Sequence, residues 1–339
     1  MRKIIFVIVC SILLTTGIFS MDAHAGQTDD ATDTDGNDST VNVIGWFSKN
    51  DTLEYWISQG RWKINGKDTV KTTGVASKVR LVVTDSTAAG YKMDYTFLEF
   101  LGDSVAESSL GDFQNRLVEK LGKKVVGTTI QFETDEYGTI TKYNNLGQIK
   151  KQAKSLFKDA MKEFLEMPEV KGLKDMGLDL KDYVKGVDTD QLVDGYLEEL
   201  KLLFLCHGLT YDIGESNSHE DATETSYENH TYTTVSTDDE NGTYSISTEV
   251  VNIVPQSDIK ALVGGIVGEL NDKSIAENFE KEFDKQVRID ATISSYFSSD
   301  YMPDGWPYRV VKQETTMIGD SGKAAQTYIY LDYLSVHNN

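Results

Sequence analysis

Cysteine is scarce, and an internal disulfide is the first thing the mature chain is expected to lack. The full sequence holds two cysteines, one of which, Cys10, lies in the apolar opening stretch, so a form without that stretch keeps only Cys206. Stability then has to come from an ordinary apolar core, which a chain of 339 residues is long enough to build. Basic charge is scarce as well, with 33 Lys and Arg against 54 Asp and Glu and a net charge of -21. That excess repels phosphate backbones and anionic headgroups, and it excludes nucleic acid as a partner. After residue 25 no apolar run is long enough to cross a bilayer, so no transmembrane segment is expected in the mature chain.

What the opening residues do contain is an address. Met1-Arg2-Lys3, an apolar run from Ile4 to Phe19, and Ala23-His24-Ala25 before Gly26 have the order of a cleavable secretory signal. Cys10 follows Ile8-Val9 in mid-run, where a lipidated cysteine would need small residues, so soluble export to the periplasm or beyond is the expectation. Residues 26 to 40 are rich in Asp and Thr and nearly free of apolar side chains, and they read as a disordered acidic linker. The Asp33-x-Asp35-Gly36 piece fails as a calcium loop. Its register would place Ala31 at the first ligand position and Asn42 at the last.

From Val41 the pattern turns to strands. Leu53 to Ile64 ends in the turn Asn65-Gly66, and Lys78 to Thr84 leads into Tyr91 to Phe100, where Tyr91, Met93, Tyr95 and Phe97 share one face. Ser104 with Glu107 predicts a helix carrying Leu110, Phe113, Leu117 and Leu121. A second hairpin, Thr128 to Tyr143, turns at Asp135-Glu136-Tyr137-Gly138. The same order recurs downstream. A hairpin from Tyr232 to Val251 precedes an apolar helical run from Ser257 to about Gln286, and a further hairpin spans Ala291 to Glu314.

Between these stretches, Asn145 with Gln148 predicts one helix, stopped at Pro168, and Asp188 with Gln191 another, stopped at Gly208. The fold expected is therefore α+β, with hairpin-rich, curved antiparallel sheets packed on several helices. Its organisation is a signal peptide at 1-25, a linker at 26-40, and two similar hairpin-helix-hairpin halves at 41-205 and 206-339.

Chemistry is harder to find. The run from Phe97 to Ser104, a strand entering Gly102-Asp103-Ser104, resembles the nucleophile block of SGNH-type esterases and makes a hydrolase using Ser104 the alternative to a binding role. Those enzymes need a buried parallel strand and a D-x-x-H pair, whereas Asp332 and His337 have the wrong spacing. Gly319-Asp320-Ser321-Gly322 echoes a serine-protease block but sits where a hairpin turn is expected. Cys206, His207, His219 and His230 are separated by intervals that fit no usual zinc pattern, so no metal or other cofactor is expected. Asp-Ser and Asp-Thr pairs such as Asp68-Thr69 resemble acceptor sites of a periplasmic O-glycosylation system.

The stretches Asp51 to Gly102, Phe132 to Lys150 and Ala291 to Tyr333, with Tyr-rich hairpins and Gly305-Trp306-Pro307, resemble exported proteins of gut-type Gram-negative anaerobes. More distantly, a curved antiparallel sheet enclosing helices is similar to the lipoprotein-carrier half-barrel, and that resemblance implies a concave face holding acyl chains. The site expected on it is a cavity between the helix from Ser257 and the hairpins, lined by Tyr95, Phe97, Ile246, Leu262, Gly265 and Ile266. Gly264, Gly265 and Gly268 in that helical run mark close packing or room for a ligand. The function expected is non-enzymatic binding of an apolar small molecule or a cell-envelope protein.

Overall fold

The structure is a computed structural model, and it describes residues 39-102, 122-166, 197-223, 226-260 and 290-332. The expected signal peptide, most of the expected acidic linker, Ser104 and the helix expected from it, the connector at 171-186, the start of the helix expected from Asp188, most of the one expected from Ser257, and His337 lie outside these residues.

The described chain is dominated by one curved antiparallel sheet that does not close. Its strands are β2 (Thr52–Asn65), β3 (Asp68–Thr87), β4 (Gly90–Gly102), β5 (Thr129–Thr134), β6 (Ile140–Tyr143), β8 (Gly214–Glu220), β9 (Glu228–Asp238), β10 (Thr243–Val254), β11 (Ala291–Tyr301), β12 (Pro307–Ile318) and β13 (Ser321–Leu331). In space the order is β6-β5-β4-β3-β2-β13-β12-β11-β10-β9-β8. Each run of consecutive strands is a meander, and the seam where β2 meets β13 joins the two runs. An up-and-down barrel would also pair β6 with β8. Instead the chain between them is occupied by α1 (Leu146–Leu165), a helical stretch at 197-203, and β7 (Thr210–Asp212), which pairs with β1 (Thr40–Asn42) as a separate ribbon.

The expectation of an α+β fold is corrected in emphasis. The described residues are β-rich, with few helices against a single large sheet. Strand length explains why. β2 and β3 pair from Thr52 with Val82 to Asn65 with Asp68, so Val70 to Ser77, whose pattern is weakly apolar, is held as strand by its partner rather than by its own propensity. Strands this long have to bend, and register shifts at Arg61/Trp62, Lys78/Val79 and Val83/Asp85 supply the bulges.

Alternation sets the inner face. Leu53, Tyr55 and Ile57 point inward beside Val79, Leu81 and Val83, while Glu54, Trp56 and Ser58 point outward. On the outer face the seam carries an ion network. Lys78 Nζ lies 2.7 Å from Glu54 Oε2 and 2.9 Å from Asp332 Oδ2, and Arg80 Nη2 lies 2.6 Å from Glu54 Oε1. Burial pushes the Glu54 carboxyl up, but Lys78 and Arg80 together outweigh it and hold it below the ordinary carboxylate value.

Asn145 opens α1 in a way the sequence did not suggest. Its backbone carbonyl accepts from Gln148 and Ile149, but its side chain bonds Gln131 N–H and the Thr129 carbonyl, tying the helix start to β5 instead of closing a capping box. The helix expected to stop at Gly208 ends earlier, at 203, and turns carry the chain on to Gly208, whose φ is 81°.

Candidate functional site on the inner face of the sheet

The inner face grades from sealed to open along the strands. At the end formed by the turns near Thr87, Asp135, Asp238 and Met302, the inward side chains Tyr91, Met93, Phe132, Ile246, Tyr301, Val310 and Leu331 are buried. Toward the opposite end Val75, Ser77, Phe100, Val250, Ile293, Ser295 and Thr316 are only half-buried. The long insertions after β4 and after β10 both leave the sheet at that second end.

An aromatic plug closes the sealed end. Phe47 stacks on Trp306 at 3.9 Å and meets Tyr91 at 5.0 Å, while Phe204 packs on Phe132 and His207. The strap that delivers Phe47 is held by backbone bonds, Val43 to Leu209, Gly45 to Tyr137 and Trp46 to Asp304. His207 sits inside this plug with its Nε2 3.1 Å from the Gly305 carbonyl and its Nδ1 without a hydrogen bond. Burial pulls its pKa down to about 4, so it is neutral at ordinary pH.

Where the sealed zone gives way to the half-buried one, the stretch 197-203 crosses the inside of the sheet. Leu197, Leu200 and Leu203 are buried against the strands, and the intervening acids turn toward inward polar groups. Glu199 Oε1 accepts from Gln59 Nε2 at 3.1 Å, and its Oε2 is sealed from solvent without a partner. Burial raises its carboxyl to about 8, so it is mostly protonated at neutral pH. The Tyr95 hydroxyl is likewise sealed and unpartnered; burial and, after it, the charge of Glu199 push its pKa up. Lys312 reaches Glu198 at 2.7 Å and Glu314 at 3.0 Å. Burial pulls the Lys312 ammonium down, and those two carboxylates more than offset it.

Of this band only Tyr95 was among the residues expected from the sequence; Gln59, Glu198, Glu199 and Lys312 are what sequence reasoning missed. Acid pairs carry no signal in a chain with 54 of them. The trace that existed was the interruption of the apolar stripe Leu197, Leu200, Phe204 by two adjacent glutamates.

Of the residues expected to line a ligand cavity, Tyr95 and Phe97 are brought together as an edge-to-face ring pair at 5.3 Å. Ile246 shares the inner face but lies on β10, with β3, β2, β13, β12 and β11 between it and β4. Leu262, Gly265 and Ile266 lie outside the described residues. A small, partly open apolar pocket of about 10 Å³ is lined by Phe97, Val125, Ile130, Ile149, Ala153 and Leu156. It is about the size of one water and too small for an acyl chain.

Other sequence candidates resolve locally. β4, which leads toward Ser104, is antiparallel to both β3 and β5, so the parallel strand on which an SGNH-type site is built is absent at this point and the hydrolase reading loses its setting. Gly319 and Asp320 are the turn between β12 and β13, with Ser321 already paired to Ile318. Cys206 is buried and free. The Thr52 and Ser86 hydroxyls donate to the Asn50 and Phe47 carbonyls, whereas Thr69 is exposed. His219 and His230, far from Cys206 in the sheet, face each other on β8 and β9.

No protein-family model matches the chain, and no curated protein matches it in sequence, so the resemblance to exported proteins of anaerobes has no family behind it. Among solved structures it is similar to lipovitellin, in a structure describing lipid–protein interactions, at 8% identity and a TM-score of 0.36 over 84% of this chain. The chain spans 25% of that lipovitellin chain. It is also similar to an outer membrane channel from Pseudomonas putida F1, at 8% identity and a TM-score of 0.14, covering 88% of this chain and 100% of that one. Similarity at these levels carries no argument about ligand or activity. Among the described residues no helix is long and apolar enough to cross a membrane.

Proposed function

We propose that the protein is an exported, non-enzymatic binder that seats an apolar ligand with a polar head group on the inner face of its open sheet. The supporting observation is the sealed pair of unpartnered polar atoms, Tyr95 Oη and Glu199 Oε2, set where the apolar floor gives way to half-buried side chains. A buried polar atom without a partner costs on the order of 1–3 kcal/mol. A ligand head group that displaces the side chains covering both atoms and bonds them recovers that cost, while the half-buried inward side chains beyond them take its apolar body.

Export follows from the opening 25 residues, whose basic head, apolar run and Ala23-His24-Ala25 are those of a cleaved signal. On this reading the two halves, 41-205 and 206-339, each contribute a meander to the open sheet. In this proposal the segment between β10 and β11 brings Leu262, Gly265 and Ile266 to the same ligand as Tyr95 and Phe97.

The test is displacement of a fluorescent fatty acid from the untagged mature protein. Wild type should bind the probe, and Gly265→Leu, which adds a bulky side chain to the proposed site, should abolish binding with an unchanged far-UV spectrum. If wild type binds no such probe, the apolar-ligand reading fails and docking of a cell-envelope protein takes its place.

A further inference from the structure

Among the described residues β8 is one of the two edges of the sheet, and every one of its residues is exposed. Among the described residues its only strand partner is β9, so little besides that one ladder holds it. The register on that neighbour is firm: Gly214 lies opposite Val235 and Glu220 opposite Asn229, and the Asn229 side-chain amide donates to Glu220 Oε2 at 2.8 Å.

That register places His219 directly across from His230. Both alternate onto the face opposite the inward-pointing Thr231, Thr233 and Val235, and so onto the outer face. Glu228, two residues before His230 on β9, shares this face. Asp221, two residues beyond His219, continues the register opposite Glu228. The four side chains therefore form a two-by-two array, with one imidazole and one carboxylate on each chain segment.

Their geometry is already convergent. The two imidazoles stack with centroids 4.4 Å apart and planes 26° from parallel. His230 Nε2 lies 3.3 Å from Glu228 Oε1, and His219 Nε2 lies 3.2 Å from Asp221 Oδ1. One ligand atom each from His219, Glu228 and His230 falls within 4.8 Å of the others. Ligands of a tetrahedral zinc ion bound at about 2.1 Å stand roughly 3.4 Å apart, so small side-chain rotations complete the shell.

We infer that His219, His230 and Glu228, with Asp221 as the fourth ligand, form a surface site for a borderline transition-metal dication of the zinc class that pins this edge strand to its neighbour. Two imidazoles with carboxylates suit Zn²⁺ or Co²⁺ and disfavour Ca²⁺ and Mg²⁺, which take all-oxygen shells. The hairpin supplies the reason the ligands meet, since a cross-strand pair and its neighbours two residues along lie on one face.

The experiment uses untagged protein freed of metal with a chelator. Zn²⁺ should be withdrawn from a chromophoric chelator of micromolar affinity with one ion per chain, and Co²⁺ should give the intense visible absorption of a four-coordinate site. His219→Ala and His230→Ala should each abolish both signals while metal-free thermal unfolding stays at the wild-type temperature. Glu228→Gln should weaken zinc and leave Ca²⁺ without effect in every variant. Wild type that takes no zinc, binding that survives His219→Ala, or metal held only between two copies of the chain would each overturn the assignment.

Discussion

Replacing Glu199 with Gln tests whether a protonated carboxyl sits inside the sheet. Folded, this carboxyl has its pKa raised to about 8 by burial, against an ordinary value of 4.5. Between those two values the folded state keeps a proton that the unfolded state has released, so stability is full below about pH 4.5 and falls as pH rises through 8. At about 1.4 kcal/mol per unit, the loss is roughly 1 kcal/mol at pH 5 and roughly 4 kcal/mol at pH 8. Gln keeps the shape and the acceptor that Gln59 Nε2 uses, and it cannot ionise. The variant should therefore gain on wild type by about 3 kcal/mol between pH 5 and pH 8. His207 acts in the opposite direction. Its pKa is lowered to about 4 from 6.5, so it destabilises the fold as pH drops through that window. It is present in both proteins and cancels in their difference. Urea unfolding followed by the fluorescence of buried Trp306 gives that difference at each pH. A wild-type-to-variant gap that stays flat from pH 5 to pH 8 would falsify the buried, protonated carboxyl.

Two further expectations concern the plug at the sealed end. Gly305 has a φ of 82°, and a Cβ built on it would lie 2.1 Å from the Ile44 carbonyl oxygen, a contact with backbone that cannot swing away. Gly305→Ala should cost about 2 kcal/mol or more, seen as a lowered urea midpoint, and an unchanged midpoint would show that the 302-306 turn does not seat the strap. Cys206 is buried, and burial pushes its thiol up despite bonds from Tyr211 and Tyr301. Labelling by a thiol reagent should proceed no faster than unfolding; prompt reaction in native buffer would contradict the packing.

Much of the hairpin grammar could be read from the chain. Turn residues with few conformational alternatives, Asn65-Gly66, Asp135 to Gly138 and Gly319-Asp320, stand where β2 meets β3, β5 meets β6 and β12 meets β13. The alternation of Tyr91, Met93, Tyr95 and Phe97 gave their common face because the strand period is a local property of the backbone. Locality also marks the limit of what sequence decides. The pairing of β2 with β13 joins residues more than 250 positions apart, and no local signal specifies it. Whether Glu199 is one more solvated acid or a protonated group beside Tyr95 depends on which strands surround the 197-203 stretch. The array of His219, Asp221, Glu228 and His230 depends on a hairpin register that intervals along the chain do not reveal. Sequence alone settled the acidic balance and the strand-rich, turn-punctuated character. The open sheet, its polar band and its edge cluster were decided by long-range pairing, because burial and proximity are properties of the assembled sheet and not of any segment within it.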